Sequence, residues 1–180
     1  MIERVISGGQ TGADQAGWRA AKRFGIATGG WMPRGFVTED GPRPEFEAMY
    51  GAKEHAAWGY PPRTRANAKM ASATLVFEAG RVESLSTLSA GSKVTVRACM
   101  EYDKPNVVIP VKLGSQHDLR SIAAIADWIN QHAERSLNIA GNRESKHPGI
   151  GQWVEAFLCD VFRAMGFQEM PTEPPTPAPR

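Results

Sequence analysis

Short runs of apolar, often β-branched residues alternate with amphipathic helical stretches along most of the chain. The runs predict strands at residues 4–6, 26–28, 74–77, 107–111 and 137–140. Apolar residues at helical spacing predict helices at residues 13–24, 63–70, 92–103, 119–130 and 150–165. This alternation indicates an α/β fold: a Rossmann-like, doubly wound and mainly parallel sheet that is flanked by helices on both faces.

The length of the chain fits one domain. A chain of 180 residues can bury a sizeable core, and we expect a single ligand-binding domain at residues 1–167. Residues 168–180 are rich in proline, which predicts an extended or disordered tail. Residues 31–62 show no regular period, and loops of this length are usually functional or floppy. An ordered loop is favoured by its aromatic side chains, namely Trp31, Phe36, Phe46, Tyr50, Trp58 and Tyr60.

The composition argues against several classes of protein. The formal charge is +2, and the basic residues are scattered among acidic ones, so we expect no nucleic-acid partner. No run of about 18 apolar residues is present, so we expect no membrane partner. The N-terminus lacks the pattern of a signal peptide, which predicts a cytoplasmic protein. Cys99 and Cys159 have no partner at metal-ligand spacing, which predicts reduced, buried thiols and no tightly bound metal.

Three predicted strand-to-helix turns combine glycine with hydroxyl side chains. In a parallel sheet such turns meet at the carboxyl edge, where glycines let an anion approach and the following helix favours negative charge. We therefore predict a ligand site with a phosphate-binding part from three groups of residues: Gly8, Gly9, Gln10, Thr11, Gly12 and Asp14; Gly91, Ser92 and Thr95; Gly141, Arg143, Glu144 and Ser145. No residue is assigned a catalytic role.

Several of these residues also have a purely structural interpretation. Thr11 and Asp14 have the spacing of a helix capping box, and Ser92 has the position of an N-cap. The first turn fits neither the dinucleotide fingerprint nor a Walker loop. The long irregular stretch adds three charged candidates for ligand contact, Arg34, Glu39 and Asp40. Alternatively, Glu39 and Asp40 lie in a solvated turn, and Arg34 binds carbonyl groups of its own loop.

Several segments of the chain, in order and at compatible spacing, resemble the putative molybdenum carrier family. They are GGQTGAD (8–14), GGWMPRG (29–35), EDGP (39–42), RT (63–64) with Asn67, NIAG (138–141), RES (143–145) and PGI (148–150). That family is similar to the molybdenum cofactor carrier proteins and to a Rossmann-like group that includes the cytokinin-activating phosphoribohydrolases. The resemblance implies molybdenum cofactor, a molybdopterin, as cargo, and it implies a homo-oligomer. The chain departs from the family pattern at Gln15, Ala90 and Asn142, where Arg, Gly and Pro are common.

These patterns favour a non-catalytic protein that binds a phosphate-bearing heterocycle. The phosphate would lie over residues 8–12, with Ser92 and Thr95 completing its cradle. Hydrogen bonds to a charged group contribute roughly 1.5–3 kcal/mol each, against about 8 kcal/mol for micromolar affinity, so the aromatic loop must also hold the ring. One alternative is an enzyme that hydrolyses the N-glycosidic bond of a nucleotide, for which Glu101 is the acid found beyond Thr95. Another is a nucleotide sensor that signals to a partner protein.

Overall fold

A parallel sheet of six strands forms the centre of the protein. The structure is a computed structural model, and it describes residues 1–80 and 82–171. The strands of this sheet are β1 (Arg4–Ser7), β2 (Ala27–Met32), β5 (Ala52–Glu54), β6 (Ala73–Ala79), β7 (Asn106–Val111) and β8 (Ser136–Gly141). Two further strands, β3 (Val37–Thr38) and β4 (Gly41–Pro42), form a short antiparallel hairpin. The order in the sheet is β5-β2-β1-β8-β6-β7.

Helices cover both faces of this sheet. They are α1 (Ala13–Arg23), α2 (Phe46–Tyr50), α3 (Tyr60–Met70), α4 (Ala90–Glu101), α5 (Leu119–His132) and α6 (Ile150–Ala164). Successive side chains of a strand point in opposite directions, so the side chains of β6 pack against the helices on both faces of the sheet. Leu75 and Phe77 belong to the main core with α1, α5 and α6, whereas Val76 packs with Val96 of α4. The predicted α/β, Rossmann-like fold is confirmed. None of the helices in residues 1–80 and 82–171 is long and apolar enough to cross a membrane.

The last strand of the chain is inserted in the middle of the sheet. Strand β8 pairs with β1 on one side, where Ile6 lies opposite Asn138, and with β6 on the other, where Leu75 lies opposite Ile139. All three strands are parallel, so their carboxyl ends lie at one edge. The turns that follow β1, β6 and β8 therefore become neighbours, and these are the turns in which the ligand site is predicted.

The stretch at residues 31–62 is far more regular than its sequence predicts. It contains the β3–β4 hairpin, helix α2 and the edge strand β5, which pairs with β2. The expectation of an irregular loop is therefore wrong. Two of its aromatic side chains, Phe46 and Tyr50, are buried against Trp18, with ring centroids 5.8 and 4.8 Å from that indole. They belong to the core and are not available to hold a ligand.

The first residues of the predicted tail contact the domain. Glu169 accepts a hydrogen bond of 2.7 Å from the Arg163 guanidinium and one of 2.8 Å from Nε of Arg23. The Met170 amide donates to the Arg23 carbonyl at 2.6 Å. The chain therefore runs along the end of α1 as far as Met170. Residues 172–180, where most of the predicted tail falls, lie outside the described residues.

Candidate ligand-binding site

The turns after β1 and β8 are in direct contact at the carboxyl edge of the sheet. The Ala13 amide donates to the Asn142 carbonyl at 3.2 Å, and the Glu144 amide donates to Oγ1 of Thr11 at 3.3 Å. Gly12 lies between them with φ of +77°. A Cβ at Gly12 would be 2.5 Å from the Asn142 carbonyl oxygen. This glycine is therefore needed for the close approach of two backbone segments.

Replacing Gly12 with alanine should destabilise the protein by about 2–4 kcal/mol. The positive φ and the overpacking against a backbone carbonyl each contribute to this loss. Chemical denaturation monitored by tryptophan fluorescence measures it. The control is Gly91→Ala, because Gly91 lies inside α4 and no atom comes within 4 Å of a Cβ built there. That change should be neutral or stabilise the protein by up to about 1 kcal/mol. Equal effects of the two substitutions would contradict this assignment.

The amides of the first turn are bound by groups of the chain itself. The Gln10 amide donates to the Asp14 carboxylate at 3.3 Å. The Thr11 amide donates to Oε1 of Gln10 at 3.0 Å, and the same oxygen accepts the Glu39 amide at 2.9 Å. Asp14 does not form the capping box expected with Thr11, since α1 has Gly12 at its N-cap and no side-chain cap. The bare row of amides expected over residues 8–12 is therefore not present.

A buried ion pair covers this turn from the side of α3. Nη1 of Arg63 donates to Oδ2 of Asp14 at 3.2 Å, and the Arg63 guanidinium lies over Gly8, where a Cβ would be 1.3 Å from Nη1. Arg63 is 8% exposed, and its buried Nε has no hydrogen-bond partner within residues 1–80 and 82–171. Burial raises the pKa of Asp14 above its ordinary value, although the charge of Arg63 opposes the rise. The sequence indicated Arg63 only through the family resemblance.

The second turn is occupied by the carboxylate of Glu78, the penultimate residue of β6. The Ser89 amide donates to it at 2.7 Å, and the Ser92 hydroxyl makes a short hydrogen bond to it. The N-cap of α4 is Ser89, so the alternative interpretation of Ser92 as the N-cap is wrong. The Thr95 hydroxyl donates to the Gly91 carbonyl at 3.2 Å. Both hydroxyls predicted to complete a phosphate cradle therefore have partners within the chain.

Asn142 connects the second and third turns. Its side-chain oxygen accepts the Ala79 amide at 2.6 Å, and its Nδ2 donates at 3.0 Å both to Glu78 and to the Ser89 hydroxyl. Its own amide donates to the Phe77 carbonyl at 3.0 Å. A proline here, as the resembling family commonly has, could not make this last bond. The sequence marked Asn142 as a departure from the family and gave no sign of its contacts.

The β3–β4 hairpin is attached to the third turn through Glu39. The Ser145 amide and hydroxyl donate to the Glu39 carboxylate at 3.2 and 2.6 Å, and the Thr11 hydroxyl also donates to it. Burial raises the pKa of Glu39, but the hydrogen bonds from Ser145 and Thr11 outweigh burial, and its pKa lies below the ordinary value. Glu144 accepts the Gly149 and Gly151 amides at 2.5 and 2.9 Å at the start of α6.

Two predicted arginines have aromatic partners. The Arg143 guanidinium lies 4.6 Å from the centre of the Tyr60 ring, at the start of α3. Arg34 lies 4.9 Å from the ring of Trp58. Within the part of the chain that the structure describes, neither has an acidic partner at ion-pair distance. Their N–H donors therefore remain available to an anion, unlike those of the hydroxyl residues in the second turn.

A polar cavity of about 490 Å³ lies between the hairpin and the starts of α1 and α6. Its walls include Thr11, Glu39, Asp40, Glu144 and Ser145. The lining holds three carboxylates and one guanidinium, that of Arg19, and this excess of negative charge is unfavourable for a phosphate. A larger groove, of about 830 Å³, runs along α6 and is lined by none of the predicted site residues. Among the described residues, no cluster of three or more His, Cys, Asp or Glu side chains is arranged to hold a metal ion.

The structure thus brings most of the predicted residues to one edge. Residues 8–12, Asp14, Glu39, Glu144 and Ser145 form one contact network, and Arg143 lies beside it. Gly141 has a packing role, because a Cβ there would be 2.3 Å from the Phe77 carbonyl oxygen. Arg34 lies apart, over Trp58, and Asp40 is exposed. That these residues bind a ligand stays a prediction.

Comparison with known proteins gives two matches. The chain matches the family described as the circularly permutated YpsA SLOG family over residues 5–162. It is also similar to a crystal structure named "Putative molybdenum carrier protein", from Syntrophus aciditrophicus SB. The two chains are 33% identical, the match covers 91% of this chain and 94% of that one, and the TM-score is 0.69. No protein of curated function matches the chain.

Proposed function

Because the chain belongs to the circularly permutated YpsA SLOG family, we propose that it binds and carries a phosphate-bearing heterocycle, with molybdenum cofactor as the cargo. The name of the related crystal structure supports the choice of cargo. The observation that carries the proposal is a pair of guanidinium groups, those of Arg63 and Arg143, beside Tyr60 at the carboxyl edge. Ligands of open α/β sheets bind at this edge.

The two arginines supply donors that the chain leaves unused. The unpartnered Nε of Arg63 is a buried N–H group, and burying such a group without an acceptor costs free energy. Arg143 is held in place by the Tyr60 ring and not by a carboxylate. A guanidinium binds two phosphate oxygens at once in its plane. The anionic group of the cargo therefore binds here, and not over residues 8–12, where the Gln10 and Thr11 amides are already bound within the chain.

The ring of the cargo needs contacts of its own. Two guanidiniums supply only part of the roughly 8 kcal/mol needed for micromolar affinity. Of the six aromatic side chains of the long loop, Trp58 is the most accessible, because it is 71% exposed and is two residues from Tyr60. Arg34 lies over one face of it. We assign the ring contact to Trp58 and Tyr60.

Replacing Arg143 with methionine should reduce the affinity for cargo about 10- to 150-fold, the equivalent of one charged hydrogen-bonding group. The protein is purified in the absence of oxygen and is then treated with an oxidant, which converts bound pterin to a fluorescent product. The amounts of this product and of molybdenum are then measured per protein chain. The matched control is Arg120→Met, since Arg120 is exposed at the start of α5, beyond the edge strand β7. Wild-type protein that contains neither pterin nor molybdenum when expressed in a host that makes the cofactor would contradict the proposal.

The hydrolase alternative would use Glu101 as its acid, and this residue lies far from the proposed site. Glu101 is the last residue of α4, pairs with Arg65 and is exposed, whereas Ser92 is near the start of that helix. At 1.5 Å per residue the two are about 14 Å apart along the helix axis. Glu101 therefore lies near the opposite edge of the sheet from the proposed site. Release of free base from nucleoside monophosphates by the purified protein would restore that alternative.

A further inference from the structure

The carboxylate of Glu78, which the sequence did not predict as a site residue, lies among more hydrogen-bond donors than any acid of the predicted site. The Ser89 amide lies 2.7 Å from Oε1, Asn142 Nδ2 lies 3.0 Å from Oε2, and the Ser92 hydroxyl makes a short bond to Oε2. The Ser89 hydroxyl is a fourth group, 3.1 Å from Oε2. Glu78 is 4% exposed. A carboxylate so surrounded is held in place.

Three of the four donors around Glu78 come from the start of α4, which is expected to hold a ligand phosphate. Ser89 and Ser92 are the N-cap and third residue of α4, and the N-terminus of a helix favours an anion. In this protein the anion at the start of α4 is the carboxylate of Glu78, which lies on the preceding strand β6. Glu78 therefore neutralises the start of α4 from within the protein.

We propose that Glu78 is a specificity-determining residue, an internal anion that keeps ligand phosphate out of the α4 turn. A phosphate at the same donors would lie beside the carboxylate, and like charges at this separation repel strongly in a buried site. The phosphate is then directed to Arg143, after the neighbouring strand β8, and to Arg63, which covers the turn after β1 two strand positions away, about 10 Å across the sheet. This last step rests on the proposed function, whereas the exclusion from α4 does not.

Removing the carboxylate should open the turn to inorganic phosphate. In Glu78→Ala the same donors lose their acceptor, so phosphate binds there in its place. We measure phosphate binding by isothermal titration calorimetry at constant ionic strength, using Arg143→Met and the double variant Glu78→Ala/Arg143→Met. The double variant should bind phosphate at least about 10-fold more tightly than Arg143→Met. Equal affinity would overturn the proposal. Glu101→Ala, which removes an exposed carboxylate at the far end of α4, is the control and should change nothing.

A measurement on the wild-type protein covers the case in which Glu78→Ala does not fold. In a phosphate titration followed by amide NMR, the Ser89 and Ser92 resonances should remain in place. Large shifts of these two resonances would overturn the proposal, because they would show phosphate at α4 in the presence of Glu78. If wild-type protein binds no phosphate but Glu78→Ala does, the arginine site fails while the role of Glu78 stands.

Discussion

Replacing Arg63 with methionine should lower the free energy of unfolding by about 3–5 kcal/mol at pH 7, the usual cost of leaving one member of a buried ion pair without its partner. The methionine side chain preserves much of the volume of Arg63, but among the residues that the structure describes the Asp14 carboxylate then keeps only the Gln10 amide as a hydrogen-bond donor. Urea denaturation measures the loss. Arg65→Met is the control, because Arg65 pairs with Glu101 at an exposed position, where solvent screens the two charges, and its loss should change the stability little.

The loss caused by Arg63→Met should shrink as the pH falls. The pKa of Asp14 is already above its ordinary value of 3.8 in the folded protein, and removal of Arg63 takes away a charge that lowers it. For an acid whose folded pKa is raised, its contribution to stability is fully present below the unfolded pKa and is lost as the pH rises through the folded pKa. The variant should therefore be closest to wild type near pH 4 and furthest from it at neutral pH.

The double variant Asp14→Asn/Arg63→Met should recover part of the stability that Arg63→Met loses. Both charges are then absent, so no buried ion is left unpaired. A double variant less stable than Arg63→Met at pH 7, or a loss that does not depend on pH, would contradict this account of the pair.

Replacing Asn142 with aspartate should destabilise the protein by about 3–4 kcal/mol at neutral pH. The Nδ2 donor that lies 3.0 Å from the Glu78 carboxylate becomes an acceptor. Two carboxylates about 4 Å apart repel by about 4 kcal/mol at an effective dielectric constant of 20, and uptake of a proton relieves part of this. The same repulsion raises the folded pKa of the carboxyl pair. Lowering the pH should therefore restore stability, which thermal unfolding between pH 4 and pH 8 can follow.

Asn142→Ala separates the charge effect from the loss of hydrogen bonds. Alanine removes the bonds to Ala79, Glu78 and Ser89 without adding a charge, so the loss should be about 1–3 kcal/mol and change little with pH. If alanine and aspartate cost the same at pH 8, Asn142 and Glu78 are not in contact. A loss of each variant below about 0.5 kcal/mol would remove Asn142 from the network altogether.

Local patterns were sufficient for the regular elements and failed at the long irregular stretch. The strand at Ala73–Ala79 and the helix at Ile150–Ala164 follow from continuous apolar character and from helical spacing, which neighbouring residues set. The short elements at residues 37–54 have no such period. The edge strand Ala52–Glu54 forms because it pairs with β2, and Phe46 and Tyr50 become core residues because they meet Trp18. Contacts between distant segments of the chain leave no local signal.

The same division applies to the site. Glycine and hydroxyl residues at the ends of apolar strands placed the turns at the carboxyl edge, since parallel strands share that edge. The sequence did not indicate which side chains fill those turns. Glu78 reaches Ser89, 11 residues away, and Arg63 reaches Asp14, 49 residues away.

The amino-acid sequence therefore predicts an α/β protein with a ligand site at the carboxyl edge of its sheet. It can do so because the periods of strands and helices and the residue types of turns are local properties. The folded chain adds the position of β8 between β1 and β6 and, with it, the contact of Asn142 with Glu78. These depend on which buried surfaces and hydrogen-bonding groups fit together across long sequence separations. Donors that look free in the sequence are consequently bound by the protein's own side chains, as Ser89 and Ser92 are by the Glu78 carboxylate.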